Sequence, residues 1–218
     1  MADINVCVSF SADINTLIAG KLADEEFNHR CWGEDSLLSL RQTIRAHYRI
    51  VQSGKCSYCQ NPVSLRSASN CHVEHIAPKS KYLNFIFEPK NLCVVCADCN
   101  EIKREQEVLN EVPDTVVNGA GRSQYPRSSS AFKVVHPHFD NYADHIEIFN
   151  GFYVDLSVKG HFTIGACKLN RHLHEFGWEQ EYISEDVISE QMNSFLDSND
   201  AIEKHQALDN LKRMLIRM

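Results

Sequence analysis

Two Cys-x-x-Cys knuckles, Cys56/Cys59 and Cys96/Cys99, constrain this chain more than any other feature. The 36 residues between them are too few to fold on a core of their own, but four thiolates in two such pairs hold a tetrahedral Zn²⁺. A metal there staples both ends of the stretch, and its binding free energy becomes folding free energy. Inside the staple lies a second set of different chemistry: Glu74, His75, Asn91, Asn100 and Lys103. These hard or neutral ligands and donors suit Mg²⁺ with a phosphate group better than another zinc.

The order CSYC, then CHVEHIAPKS, then NLCVVCADCNEIK resembles the HNH endonucleases, whose core is a two-stranded hairpin followed by a helix around one catalytic divalent ion. The resemblance implies an α+β fold: a zinc-stapled ββα-metal core with flanking helices and a small C-terminal strand and helix region. It implies His75 as general base on a water, Glu74 and Asn100 as ligands of a catalytic Mg²⁺ or Mn²⁺, Asn91 as the residue orienting the base, and Lys103 as a phosphate contact. The acid is Glu where Asp is commoner, and the third motif residue is Asn where the family name has His; both keep an oxygen ligand. The chemistry asks for the same types, since water attack on a phosphodiester needs a neutral base and a cation to absorb charge. On a regular strand Glu74 and His75 face opposite ways, so a bend at the strand end is expected if both serve one site.

Charge refines the picture. The chain carries −7 overall, yet residues 41–104 hold ten Lys or Arg against four acids, a +6 island in a −13 remainder. Such an island suits local phosphate contact with little electrostatic reach, or an enzyme that depends on a partner to hold nucleic acid. Residues 34–52 read as a helix with Leu37, Leu40, Ile44, Tyr48 and Val51 on one stripe. Arg41, Arg45 and Arg49 lie beside it, as a solvated face or as a phosphate or partner surface beside the active site. Ser53-Gly54 ends that helix, and a further helix over 100–109 precedes Pro113.

The chain divides into an N-terminal helical region (1–52), the metal-binding core (53–112), a Gly/Ser/Pro-rich linker or long loop (113–131) and an accessory α/β region (132–218). In the last, HIEIF, FYVDLSV and HFTI read as three short strands with turns at Asn150-Gly151 and Lys159-Gly160. His136, His138, Asp140 and His145 read as a self-satisfying polar turn, with a second metal site as the alternative. Asn170 and Arg171 are candidates for touching the core, Trp178 for packing or an interface, and residues 200–217 for a docking helix with Ile202, Leu208, Leu211 and Leu215.

HPHFDNYADHI and FTIGACKLNRHLHEFG extend the resemblance to HNH subunits that accompany an ABC-type ATPase in bacterial antiviral systems of the Septu and retron-linked kind. That implies an ATPase partner and a nucleic-acid substrate, DNA in preference to RNA. No GxxxxGK[ST] loop is present in the chain itself. No apolar run would span a membrane and no secretory pattern opens the sequence, and nine cysteines with four committed to metal read as a reducing, cytoplasmic setting. Two other readings use the same residues: a zinc-dependent module that binds nucleic acid or a partner without cutting, and a thiol redox protein. A pure binder has no need of Glu74, His75 and Asn100 together, and zinc loading would leave no free thiolate for redox chemistry.

Overall fold

The computed structural model describes residues 2–108, 114–149, 151–176 and 185–217. It has a mixed α+β fold with two small antiparallel sheets, and it divides into two compact units, Met1–Asn170 and Arg171–Met218.

The first unit is built around a hairpin of β1 (His72–His75) and β2 (Leu92–Val95), paired in the register His72↔Val95 through His75↔Leu92. Two strands alone are marginal, because each leaves a row of unpaired backbone groups. Here the outer edge of β2 is satisfied by side chains. Gln52 accepts from the Val94 amide and donates to its carbonyl, both at 2.8 Å, and His138 Nε2 donates to the Leu92 carbonyl at 2.8 Å. Helix α2 (Leu38–Val51) follows α1 (Ala12–Ala23) and packs on both strands through Leu40, Ile44 and Tyr48, spaced four apart and fully buried. It ends as expected, with Ser53 and Gly54 at positive φ. Helix α3 (Ala97–Val108) packs on β1 and completes a ββα arrangement; it opens three residues before Asn100.

Arg41, Arg45 and Arg49 are half-buried and hydrogen-bonded rather than freely solvated, and Arg41 and Arg45 also line a cleft. Arg41 donates to the carbonyls of Trp32 and Glu34, Arg45 to that of Cys71 at 2.8 Å, and Arg49 to that of Ser67 and to the Cys71 sulfur. The stripe ties α2 to the chain before it and to the loop entering β1.

Residues 114–131 run without regular strands but bury Thr115, Val116 and Tyr125. Beyond them, β3 (Ile146–Phe149) and β4 (Phe152–Asp155) pair antiparallel. The third expected strand is instead helix α4 (Val158–Ala166). Four alternating residues cannot separate strand from helix, and two local features decide. Ser157 Oγ caps the helix by accepting from the Gly160 amide at 3.1 Å, and Gly160 packs so closely that a Cβ there would lie 1.9 Å from the His145 carbonyl oxygen. Gly160, Thr163 and Ala166, three apart, form its buried face.

The His136 cluster is the polar turn and not a metal site. Among the described residues the group of side chains placed to hold a metal ion is the cysteine set. His136 Nδ1 accepts from the His138 amide at 3.2 Å, so its Nε2 carries the proton toward Tyr125 Oη at 2.8 Å, and that hydroxyl donates to the Lys90 carbonyl. Asp140 accepts from Lys159 and from the His136 amide. Burial holds both imidazoles neutral, His138 at about 4 and His136 well below its ordinary value. Asn170 brackets Tyr153, accepting from its amide at 2.8 Å and donating to its carbonyl at 2.9 Å.

The second unit holds α5 (Arg171–Phe176) and the mutually packed α6 (Glu185–Asp197) and α7 (Ala201–Arg217). The last agrees with the expected helix over 200–217. Trp178, Asn150 and the end of α3 toward Pro113 lie outside the described residues, as does the side chain of Leu215. Among the described residues no helix is long and apolar enough to cross a membrane.

Candidate active site

The first knuckle is a tight turn: the Gln60 amide donates to the Cys56 carbonyl at 3.0 Å, with Gln60 at φ +58°. The second sits where β2 hands over to α3, and the Cys99 amide there points at the Cys96 sulfur. The four buried sulfurs lie within 4.8 Å of one another, with Cys59 and Cys96 at 3.7 Å. A tetrahedral zinc with bonds of about 2.3 Å sets its sulfurs about 3.8 Å apart, so the cluster fits that ion. Tyr142 and Tyr153 brace it from the accessory region, donating to the carbonyls of Tyr58 and Cys59 at 2.8 and 2.7 Å.

Beside this cluster opens a cleft of about 840 Å³ whose lining includes Glu74, His75, Asn100 and Lys103. β1 keeps regular pairing through His75, its last residue, and the chain bends at Ile76 and Ala77 just before Pro78, so the bend lies at the strand end as expected. The two side chains do diverge, Glu74 toward Tyr58 and Lys103, His75 toward Trp32 and Ile86, yet both reach the cleft.

His75 is 4% exposed. Its Nε2 lies 3.0 Å from the Ile86 carbonyl oxygen, which can only accept. The proton therefore sits on Nε2, and Nδ1 is left with the basic lone pair. Burial first, then Lys79, push its pKa down to about 3, against the raising effect of the Ile86 hydrogen bond. The ring is a neutral acceptor at pH 7.

Asn91 directs its side-chain hydrogen bonds to the 76–86 loop and not to the imidazole. It is fully buried, accepts from the Ala77 amide at 2.7 Å and donates to the carbonyls of Ala77 and Phe85. It thereby shapes the 76–86 loop, whose Ile86 carbonyl holds His75, so its link to His75 is indirect.

Lys103 differs most from the sequence expectation. An outward phosphate contact should be exposed, but Lys103 is 2% exposed, its ammonium 2.6 Å from Glu74 Oε1 and 3.4 Å from the His75 carbonyl. A buried carboxylate needs a counter-charge, and this lysine supplies it. Tyr58 Oη also donates to Glu74 Oε1, at 3.2 Å.

The sequence reading passed over His72. It lies two residues before Glu74, hence on the same strand face, and gives its Nε2 proton to the Ser69 carbonyl at 3.0 Å. Its Nδ1 then faces Asn100 Nδ2 at 3.5 Å, an orientation that leaves the amide oxygen for the cleft. Period-two spacing from Glu74 was the available signal. His29, Arg30, Trp32 and Gly33 also line the cleft, and no spacing could have brought a segment so far upstream to it.

A family model described as HNH endonuclease matches residues 56–106. The Septu protein PtuB of Bacillus thuringiensis is 25% identical over 121 residues, which is 56% of this chain and 38% of that protein. The chain thus spans well under half the length of this relative. No solved structure matches. These likenesses and the four-cysteine cluster support a nuclease-family protein with a metal-binding module.

Proposed function

We propose that the chain is a divalent-metal-dependent HNH endonuclease that hydrolyses phosphodiester bonds of nucleic acid, DNA in preference to RNA. The observation that carries this reading is a single cleft offering a carboxylate, a neutral imidazole and an amide from Glu74, His75 and Asn100, inside the stretch that resembles HNH endonucleases. His75 Nδ1 takes the proton of an attacking water while the Ile86 carbonyl holds the opposite nitrogen. A base with a value near 3 is weak, but an entering phosphate opposes the charges of Lys79 and Lys103 that help depress it. Glu74 and Asn100 would hold Mg²⁺ or Mn²⁺, which when bound absorbs charge on the phosphate and the departing oxygen. Lys103 neutralises Glu74, while exposed Arg30 and Lys81 on the cleft lining meet flanking phosphates. Zn²⁺ in the cysteine cluster is structural.

In this reading residues 53–112 are the catalytic core, 1–52 and 132–218 its flanking regions and 113–131 a long loop. The enzyme works in the cytoplasm as the effector of an antiviral complex with an ABC-type ATPase. Likeness to a Septu protein and the net charge of −7, which disfavours unaided binding to nucleic acid, support the partner.

The test is cleavage of plasmid, single-stranded DNA and total RNA in Mg²⁺ or Mn²⁺, by wild type and His75→Ala, with and without the ATPase. Metal-dependent cutting lost in H75A is expected. Equal cutting by H75A would put the mechanism aside in favour of a binding module.

A further inference from the structure

We propose that Trp32, from a turn far upstream of the HNH-like stretch, is a positioning residue for the His75 imidazole; this rests on the reading of His75 as the general base. The two rings meet edge to face, with centroids 4.5 Å apart and planes at 80°. Trp32 is itself fixed. It sits in the 3₁₀ turn His29–Gly33, which Asn28 caps by accepting from the Arg30 amide at 3.0 Å. Its carbonyl accepts from Arg41, whose guanidinium also donates to the Glu34 carbonyl at 2.8 Å. Trp32 as a whole is 9% exposed, and its ring centroid lies 6.1 Å from that of Phe87, which stacks on Phe27 at 5.7 Å. Arg41 belongs to α2, which packs on β1 and β2, so the indole is referenced to the same strand that carries His75.

The need for such a wall follows from the geometry of the base. The hydrogen bond from the imidazole Nε2–H to the Ile86 carbonyl, at 3.0 Å, fixes one atom and by itself lets the ring swing about that bond. A water-activating Nδ1 must hold its direction, since small misplacements of a reacting group cost large factors in rate. A perpendicular aromatic ring packed against the imidazole blocks the swing. It also excludes water from that side, where His75 is 4% and Trp32 9% exposed.

The experiment reads the imidazole directly, by long-range ¹H–¹⁵N correlation on ¹⁵N-histidine protein at pH 7, with His75 assigned from the signals lost in His75→Gln. Wild type is expected to show a single Nε2–H tautomer. In Trp32→Leu, with zinc content and circular dichroism unchanged, the His75 pattern should average between tautomers and Nε2–H should exchange faster with water. In cleavage, kcat should fall by roughly 10- to 100-fold with KM unchanged. Trp32→Phe, which restores a ring, should recover most of both signals. A wild-type His75 pattern in W32L would overturn the proposal. Should W32L not fold, Arg41→Gln frees the Trp32 carbonyl and is expected to speed Nε2–H exchange; an unchanged rate there is equally decisive against it. A wild type with a fixed tautomer that cuts no substrate would defeat the nuclease reading, while the comparison with W32L would still decide the role of Trp32.

Discussion

Replacing Lys103 with methionine separates two roles for this lysine. Its ammonium lies 2.6 Å from Glu74, with the two side chains 3% and 10% exposed, so solvent screens the pair little. Methionine keeps the length of the stem but leaves the Glu74 carboxylate buried beside the neutral Tyr58 hydroxyl with its lysine counter-charge removed. Removing one partner of a buried pair costs about 3–5 kcal/mol. At about 2–4 °C per kcal/mol for a chain of this size, Lys103→Met should lower the melting midpoint by about 6–20 °C. The double variant Glu74→Gln/Lys103→Met removes both charges and should regain most of the loss, since an uncharged pair of similar shape has no buried ion to compensate. The assay is thermal and denaturant unfolding of the four proteins of this cycle, with zinc measured in each. If K103M unfolds with the wild type, while nucleic-acid affinity drops and its log–log salt slope falls by about 1, the lysine faces phosphate and the ion-pair argument is wrong.

Three further outcomes are expected. His75→Ala should keep fold and zinc but lose turnover by about 10² to 10⁴, and unlike Glu74→Ala or Asn100→Ala it should gain nothing from added Mn²⁺; single-turnover cleavage across a Mn²⁺ titration reads this. Dialysed protein should retain about one zinc per chain, and Cys96→Ala should lose it together with far-UV circular dichroism and solubility; a native-like, zinc-free C96A would contradict a structural metal. Burial, opposed by the Leu92 hydrogen bond, holds His138 at about 4, below its ordinary 6.5. A base depressed in the folded state contributes stability in full above its unfolded value and loses it as pH falls from about 6.5 toward 4, here up to about 3 kcal/mol. The stability gap between wild type and His138→Gln should therefore narrow over that window, and a gap that stays constant would show that the imidazole is not buried neutral.

The sequence alone determined the parts whose chemistry is local. Two Cys-x-x-Cys pairs specify a four-sulfur cluster whatever surrounds them, because spacing within each knuckle sets the turn that aims its sulfurs. Four-residue spacing of Leu40, Ile44 and Tyr48 specified α2, and Ser53-Gly54 its end. Only the tertiary structure decided what the charged side chains do. A cation meets whichever acceptor the fold brings within reach, and nothing in Arg41, Arg45, Arg49 or Lys103 as sequence says that three would hold backbone carbonyls and the fourth a buried carboxylate. The same holds for HFTI, where a cap from Ser157 and the close approach of Gly160 to His145 outweigh an alternation too short to specify a strand. It holds most of all for Trp32, since contact with His75 across more than forty residues depends on chain closure, which no periodicity encodes.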